Sequence, residues 1–385
     1  MYAVVCLILY FFSSSILFSQ NSHPIVLIHG FLGWGRDEMA GYYYWGGRMD
    51  LEAELKNAGF NVYTVSVGPI STNWDRALEA FYQIKGGQLD YGNIKAKEHG
   101  IIQKPMHKQY EGLYPIWDAA HPIHIISHSQ GGQTARMLEI LLKQSIKGED
   151  SPLLSNSFTG WIKSITTIST PHNGSTLVPK MLDVFPFTLS LAAWFGSVDN
   201  KTINNVYNFD LEHWGLERKT GESFDKFFSR LSSSPISKSK NLCSWELSPK
   251  GAKEFNQQYE EDGNVYYFSF STYSTTIKNS SPFHKPDSKM SLHLWPTGII
   301  IGQDNNAIDS SWFENDGVVN SISMSHPFGS EVIPFNGSPI KGVWQTVSRL
   351  NMDHQAVIGH GLFGNEHESL FVLYNNHCDL LYSLK

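Results

Sequence analysis

A serine, an acidic residue and a histidine, met in that order along a chain, can build an acyl-transfer site. The serine hydroxyl needs a base to take its proton, and the oxyanion it creates needs N–H donors. The best candidate serine lies in His124 to Met137, HIISHSQGGQTARM, where an apolar run breaks at His128-Ser129-Gln130-Gly131 and becomes helix-like. A sharp strand-to-helix turn there would expose the Ser129 hydroxyl and aim the Gln130 N–H at the reacting carbonyl. The turn crowds the residues two before and two after the serine, here Ser127 and Gly131, and Ser127 is larger than the usual Gly or Ala. Serine and glycine also cluster in ordinary loops, so the flanking strand and helix patterns carry this reading.

A second oxyanion donor should come from the loop after an earlier strand. Pro24 to Leu32, PIVLIHGFL, supplies one: Gly30 lets the backbone come close, and the Phe31 N–H can complete the hole. Taken alone, the same string is also a plain strand-to-turn junction. For the acid and base, Trp312 to Asn320, WFENDGVVN, offers Asp316 before Gly317, and Leu350 to Gly359, LNMDHQAVIG, offers His354. By position alone Asp309, Glu314 and Asp353 are rival acids, and His326 and His360 rival bases. His128, beside the nucleophile, either lines the pocket or serves the structure, and the structural role is favoured.

These residues need a scaffold. β-Branched and aromatic runs at Ile25 to Ile28, Val62 to Val67, Ile123 to Ser127, Ile162 to Ile168 and Val265 to Phe270 alternate with helix-like stretches at Met49 to Ala58, Trp74 to Ile84 and Gly132 to Leu142. Strands apolar on both faces and separated by helices predict an α/β fold with a mostly parallel central sheet. Roughly ninety residues separate the strands near Ile165 and Phe268, too many for an ordinary crossover. An insertion therefore spans about 175–262. Its first part, Leu177 to Phe195, is strongly apolar and broken by Pro179 and Pro186. It reads equally as helices over a pocket or as core helices.

The chain has 385 residues, 41% hydrophobic and 17% charged, with a formal net charge of −7. That is a globular composition, and its acidic balance argues against a nucleic-acid partner. No repeat period or heptad is present, and no stable protein partner is implied. Residues 1–20 carry no charge and are apolar or hydroxylic apart from Gln20, which predicts a secretory signal peptide or, alternatively, a membrane anchor. The remaining residues, 21–385, then form a single catalytic domain. Outside that leader only Cys243 and Cys378 remain, either paired or free and buried. Sequons at Asn173, Asn200, Asn279 and Asn336 fit a secreted glycoprotein.

With HGF, HSQGG, ENDGVVN and MDH in order, the chain resembles the large secreted lipases of thermophilic bacilli and their staphylococcal relatives. The similarity runs from about Pro24 to about Gly359 and includes IHIISHSQGGQTARML, SITTISTPHNGSTLV and WGLERKTGESFDKFFSRL. The resemblance implies an α/β-hydrolase fold with a helical lid to which Leu177 to Phe195 contributes. It implies triacylglycerol hydrolysis at an oil-water interface, with Ser129 as nucleophile, Asp316 as acid, His354 as base, and Phe31 and Gln130 as oxyanion donors. Phospholipases, esterases and acyltransferases use the same triad, and a non-catalytic lipid-binding scaffold is a further, weaker alternative.

Two departures from that family concern metals. Its zinc is held by two aspartates and two histidines; this chain keeps Asp75 and Asp225 but has Lys95 and Ile101 at the histidine places. An isoleucine has no lone pair and a lysine would have to lose its proton. The expectation is that the Lys95 ammonium replaces the metal charge, bridging Asp75 and Asp225, while His99 or His107 could rebuild a different zinc site. The family's calcium carboxylates are replaced by Ala356 and Gly361, so calcium is not expected either. No cofactor is implied.

Overall fold

The five apolar or aromatic runs pair, with two further strands, into one seven-stranded sheet. The computed structural model describes residues 20–184, 210–219, 221–234, 236, 240–277, 281–303, 308–362 and 364–385. Its central strands are β1 (Ile25–Ile28), β2 (Val62–Val65), β3 (Ile123–His128), β4 (Ile162–Ile168), β5 (Tyr266–Tyr273), β6 (Val332–Pro334) and β7 (Trp344–Asn351). They lie in the order β6-β7-β5-β4-β3-β1-β2, and every neighbouring pair is parallel. This is an α/β-hydrolase sheet flanked by helices.

The period of two along each strand sorts its side chains into two apolar clusters, one on each face. Ile25 and Leu27 of β1, with Ile126 and Phe268, pack on one face against helices α1 (Leu51–Asn57) and α4 (Asn365–Tyr382). Val26 and Ile28, with Ile125 and Tyr267, pack on the other against α2 (Asn73–Lys85) and α3 (Gln130–Lys143). Every residue of β1 and β3 is therefore buried. Helix α2 starts where the Thr72 side chain accepts the Asp75 N–H and stops at Gly86, whose φ of 94° suits only glycine.

Sequence patterning ends its clear strands at Val265 to Phe270, whereas the sheet goes on to β7 and β6 and the chain closes with the long helix α4. Strand β7 reads WQTVSRLN and is largely half-buried, so it lacks an apolar alternation. Its backbone ladder with β5, the Trp344–Tyr267 ring contact and the Gln345 amide bonded to the Ile340 carbonyl hold it instead.

The insertion between β4 and β5 contains helices Leu177–Val184, Phe224–Ser233, Cys243–Glu246 and Pro249–Asn256. Of the expected lid segment Leu177 to Phe195, residues 185–195 lie outside the described residues, as do the leader residues 1–19 and the sequons at Asn200 and Asn279. No helix among the described residues is long and apolar enough to cross a membrane. Cys243 and Cys378 are both free and buried. Asn336 is exposed, but Asn173 corrects the sequon reading: it is 5% exposed and its amide is bonded to His326, Asn256 and Phe328. A glycan has no access to that side chain in the folded protein.

The core also holds histidines. His29 accepts the Val67 N–H at Nε2 (3.0 Å) while Nδ1 faces the Gly30 carbonyl (2.9 Å), an arrangement that only the neutral ring satisfies. Burial pushes His29 and His377 down to about 3 and His360 to about 4, and holds His124, His128 and His172 well below the ordinary range.

Each of these rings is neutral when folded and binds a proton once unfolded below its ordinary value. Its contribution is therefore full above about pH 6.5 and is lost as the pH falls toward the folded value, at up to ~1.4 kcal/mol per pH unit for each ring. Chemical denaturation between pH 7.5 and 4.5 should show the unfolding free energy falling from about pH 6.5 downward. A flat profile to pH 5 would contradict it.

Candidate active site

Strand β3 and helix α3 meet at Ser129, whose backbone sits at φ 55° and ψ −128°, a region that costs a non-glycine residue about 1–3 kcal/mol. Neighbouring backbone holds it there: the Ser129 N–H donates to the Ile168 carbonyl (2.9 Å) and the Ser129 carbonyl accepts from Gly132 (3.1 Å). The crowding expected of such a turn is present. A Cβ on Gly131 would lie 2.3 Å from the Ile28 carbonyl oxygen, and one on Gly30 would lie 2.6 Å from Ser129 Cβ. Ser127 fits despite its size because its hydroxyl donates to the Thr166 carbonyl at 2.8 Å.

Ser129 Oγ is 2.9 Å from His354 Nε2, and His354 Nδ1 is 2.7 Å from Asp316 Oδ2. All three residues are buried, Ser129 being 4% exposed and the other two 0%. The carboxylate can only accept, so Nδ1 carries the proton and Nε2 is left to accept from the serine. Asp316 is fixed by further donors: the Thr272 hydroxyl (2.7 Å) and the Val318 and Val319 N–H groups (3.0 and 2.8 Å). The tight loop that lets those N–H groups turn back on the carboxylate passes through Gly317 at φ 97°.

Gln130 opens α3, so its N–H is among those that helix geometry leaves without an intrahelical acceptor. Phe31 follows Gly30 on the loop after β1, the loop that packs on Ser129. The buried Arg76 guanidinium grips that loop from below, donating to the His29 carbonyl and to the Gly68 carbonyl (2.7 Å).

The rival residues have other occupations. Asp309 caps the turn at Ser310–Trp312, Glu314 pairs with Arg349, and Asp353 accepts from the hydroxyl and N–H of Ser291. His326 bonds Ser325, and His360 donates to the Tyr44 carbonyl. His128 is engaged at both nitrogens, by the Tyr44 hydroxyl and the His354 carbonyl. Sequence reading did not find Thr272, Tyr44 or Arg76, because each reaches the site only through tertiary packing and none lies in a motif.

The metal expectations can be tested on donor chemistry. Lys95 Nζ lies 2.6 Å from Asp75 Oδ1 and 3.1 Å from Thr72 Oγ1, and Thr72 in turn donates to Asp75 Oδ2. Burial alone would raise the Asp75 carboxyl, but Lys95, with His213 3.7 Å away, holds it well below the usual carboxylate range. Ile101 is buried among apolar side chains, His99 bonds Asn241, and His107 is exposed. Among the described residues no three metal-ligating side chains converge. The described residues therefore do not supply the tetrahedral zinc set. The other half of the expected bridge, the Asp225 side chain, lies outside the described residues. Around Ala356 and Gly361 the loop is tied by protein groups, Ser291 to Asp353 and His293 to Gln355, the latter at 2.7 Å.

A family model described as "Lipase-like, C-terminal domain" matches residues 21–378. A lipase of Staphylococcus epidermidis is 35% identical over 357 residues, covering 88% of this chain and 50% of that protein, so the chain spans about half the length of the curated relatives it matches. Among solved structures, EstA from Clostridium botulinum superposes with a TM-score of 0.85 at 35% identity, covering 95% of this chain and 88% of that one. Staphylococcus hyicus lipase superposes with a TM-score of 0.81 at 32% identity, covering 96% and 97%.

Removing the ammonium from Asp75 leaves a buried carboxylate without its lysine counter-charge. Lys95→Met should lower stability by about 3–5 kcal/mol, read as a clear fall in melting temperature, while a chelator leaves the wild-type melting temperature unchanged. A chelator-induced fall would instead mean that a metal holds this part of the fold.

Proposed function

The chain belongs to the lipase-like family, and on that premise we propose that it is a serine hydrolase cleaving the ester bonds of triacylglycerols through an acyl-enzyme. The observation that carries this reading is the continuous hydrogen-bonded line Ser129, His354, Asp316. Such a line can accept and return one proton. His354 Nε2 takes the Ser129 proton as Oγ attacks the ester carbonyl. The Phe31 and Gln130 N–H groups stabilise the oxyanion, a contribution of several kcal/mol in comparable sites. Asp316 keeps Nδ1 protonated and balances the imidazolium. The proton then passes to the departing alcohol, and water admitted to the vacated position repeats the sequence to release the fatty acid.

Leu177 to Phe195 serves as a lid in this proposal. A lid that buries its apolar face in water would open at a lipid surface, where that face finds hydrocarbon instead. The enzyme is a secreted one that works on emulsified lipid, its substrate being its only obligatory partner.

Fatty-acid release from an emulsified long-chain triacylglycerol tests the assignment. Ser129→Ala should abolish turnover, and Asp316→Asn should lower kcat about 10^4-fold, with both variants folded. An active Ser129→Ala variant would remove the nucleophile from the scheme.

The lid predicts a step in rate once substrate passes from monomer to emulsion. Equal turnover of dissolved and aggregated ester would sink the lid, and activity confined to short soluble esters would make the protein an esterase.

A further inference from the structure

A second line of hydrogen bonds runs behind the first and joins the oxyanion loop to the histidine. The Gly30 N–H donates to Tyr44 Oη at 2.8 Å, Tyr44 Oη is 2.6 Å from His128 Nδ1, and His128 Nε2 is 3.0 Å from the His354 carbonyl. Tyr44 is 2% exposed and His128 0%, so water does not supply substitutes.

The proton order along this line has one solution. A carbonyl only accepts, so Nε2 of His128 carries hydrogen; a neutral ring then leaves Nδ1 as acceptor. Tyr44 therefore donates to Nδ1 and accepts from Gly30. Burial and the neighbouring His354 keep His128 neutral, and burial keeps the Tyr44 hydroxyl protonated. The far side of the same peptide is held as well, since the His29 carbonyl accepts from Arg76. The His29–Gly30 peptide, the one before that bearing the Phe31 N–H, is thus gripped at both its oxygen and its N–H.

We infer that Tyr44 and His128 are positioning residues for the reaction, an ordered strap that fixes the oxyanion loop relative to the backbone of His354. The inference rests on the hydrolase reading. Neither side chain is hydrogen-bonded to the Ser129 hydroxyl or to a ring nitrogen of His354, although the His128 ring packs on the His354 ring with 4.6 Å between centroids. Their work is to stop the hole and the base from drifting apart while charge develops on the ester oxygen. Purely packing residues would have no such effect: Tyr44→Phe keeps the ring, its contacts with Trp34 and Trp45, and the shape of the core.

The full chain should be assayed on a soluble p-nitrophenyl ester and on emulsified triacylglycerol as wild type, Tyr44→Phe, His128→Asn and the double variant. Rates are expressed per serine titrated by a fluorophosphonate. His128→Asn keeps an acceptor near the Tyr44 hydroxyl but loses the tie to His354. The expected result is a kcat lowered about 10–100-fold in each single variant, with KM within about twofold, because only transition-state geometry is disturbed.

The double variant should be hardly worse than Tyr44→Phe alone, since a strap cut once is already slack. Single variants within about twofold of wild type in kcat, or losses that multiply in the double, would overturn the inference while leaving the hydrolase reading intact. A wild type inactive on both substrates would overturn both. If His128→Asn titrates poorly, the kcat and KM of Tyr44→Phe alone decide between a strap and plain packing.

Discussion

The backbone of Ser129 is held in a conformation that its own side chain disfavours, and much of the surrounding structure exists to keep it there. A φ of 55° between a parallel strand and a helix is tolerated only if both elements are rigid and the backbone beside the turn is bare. Strand β3 is buried throughout and paired on both sides, and α3 packs its apolar face onto the sheet. Gly30, Gly131 and Gly132 remove the Cβ atoms that would collide with Ser129, β1 and Thr170. The result is a hydroxyl aimed at His354 with the first N–H of a helix beside it.

Around that turn the protein solves a problem of buried polarity. Asp316, His354, His128, Tyr44, Arg76 and Thr272 all sit in the interior, where an unmatched polar group costs about 1–3 kcal/mol. They are matched in lines rather than pairs, so that each donor meets an acceptor and each proton has a defined place. Such lines stiffen a site, since moving one member breaks the bonds of the next. The same logic governs the cluster at Asp75. There the Lys95 ammonium, bonded to Thr72 and Asp75, supplies the positive charge beside a buried carboxylate. A chain-borne cation needs no supply from outside, but it is a point charge with flexible attachment and imposes less geometry than a tetrahedral ion.

The amino-acid sequence by itself determined the class of fold and pointed to the candidate reacting groups. The strand before Ser129, the helix after it and the HGF loop are local features: period, glycine placement and chain order are written in neighbouring residues. Asp316 and His354 were narrower choices, separated from Glu314, Asp353 and His360 by their resemblance to a family rather than by spacing. Only the tertiary structure shows that His354 Nε2 lies against Ser129 Oγ across 225 residues of chain. It likewise gives Asp353 to Ser291 and Glu314 to Arg349.

Strand β7 escaped the sequence because most of its side chains are half-exposed and polar, so its stability comes from a ladder with a distant partner, and β6 is only three residues long. Thr272, Tyr44, Arg76 and the proton order through His128 escaped it for a related reason. A hydrogen bond is specified by distance and direction, and folding sets both by packing elements that are far apart in the chain. Hydrophobic period and glycine position are properties of short segments and can be read in one dimension. Which donor meets which acceptor is settled only in three.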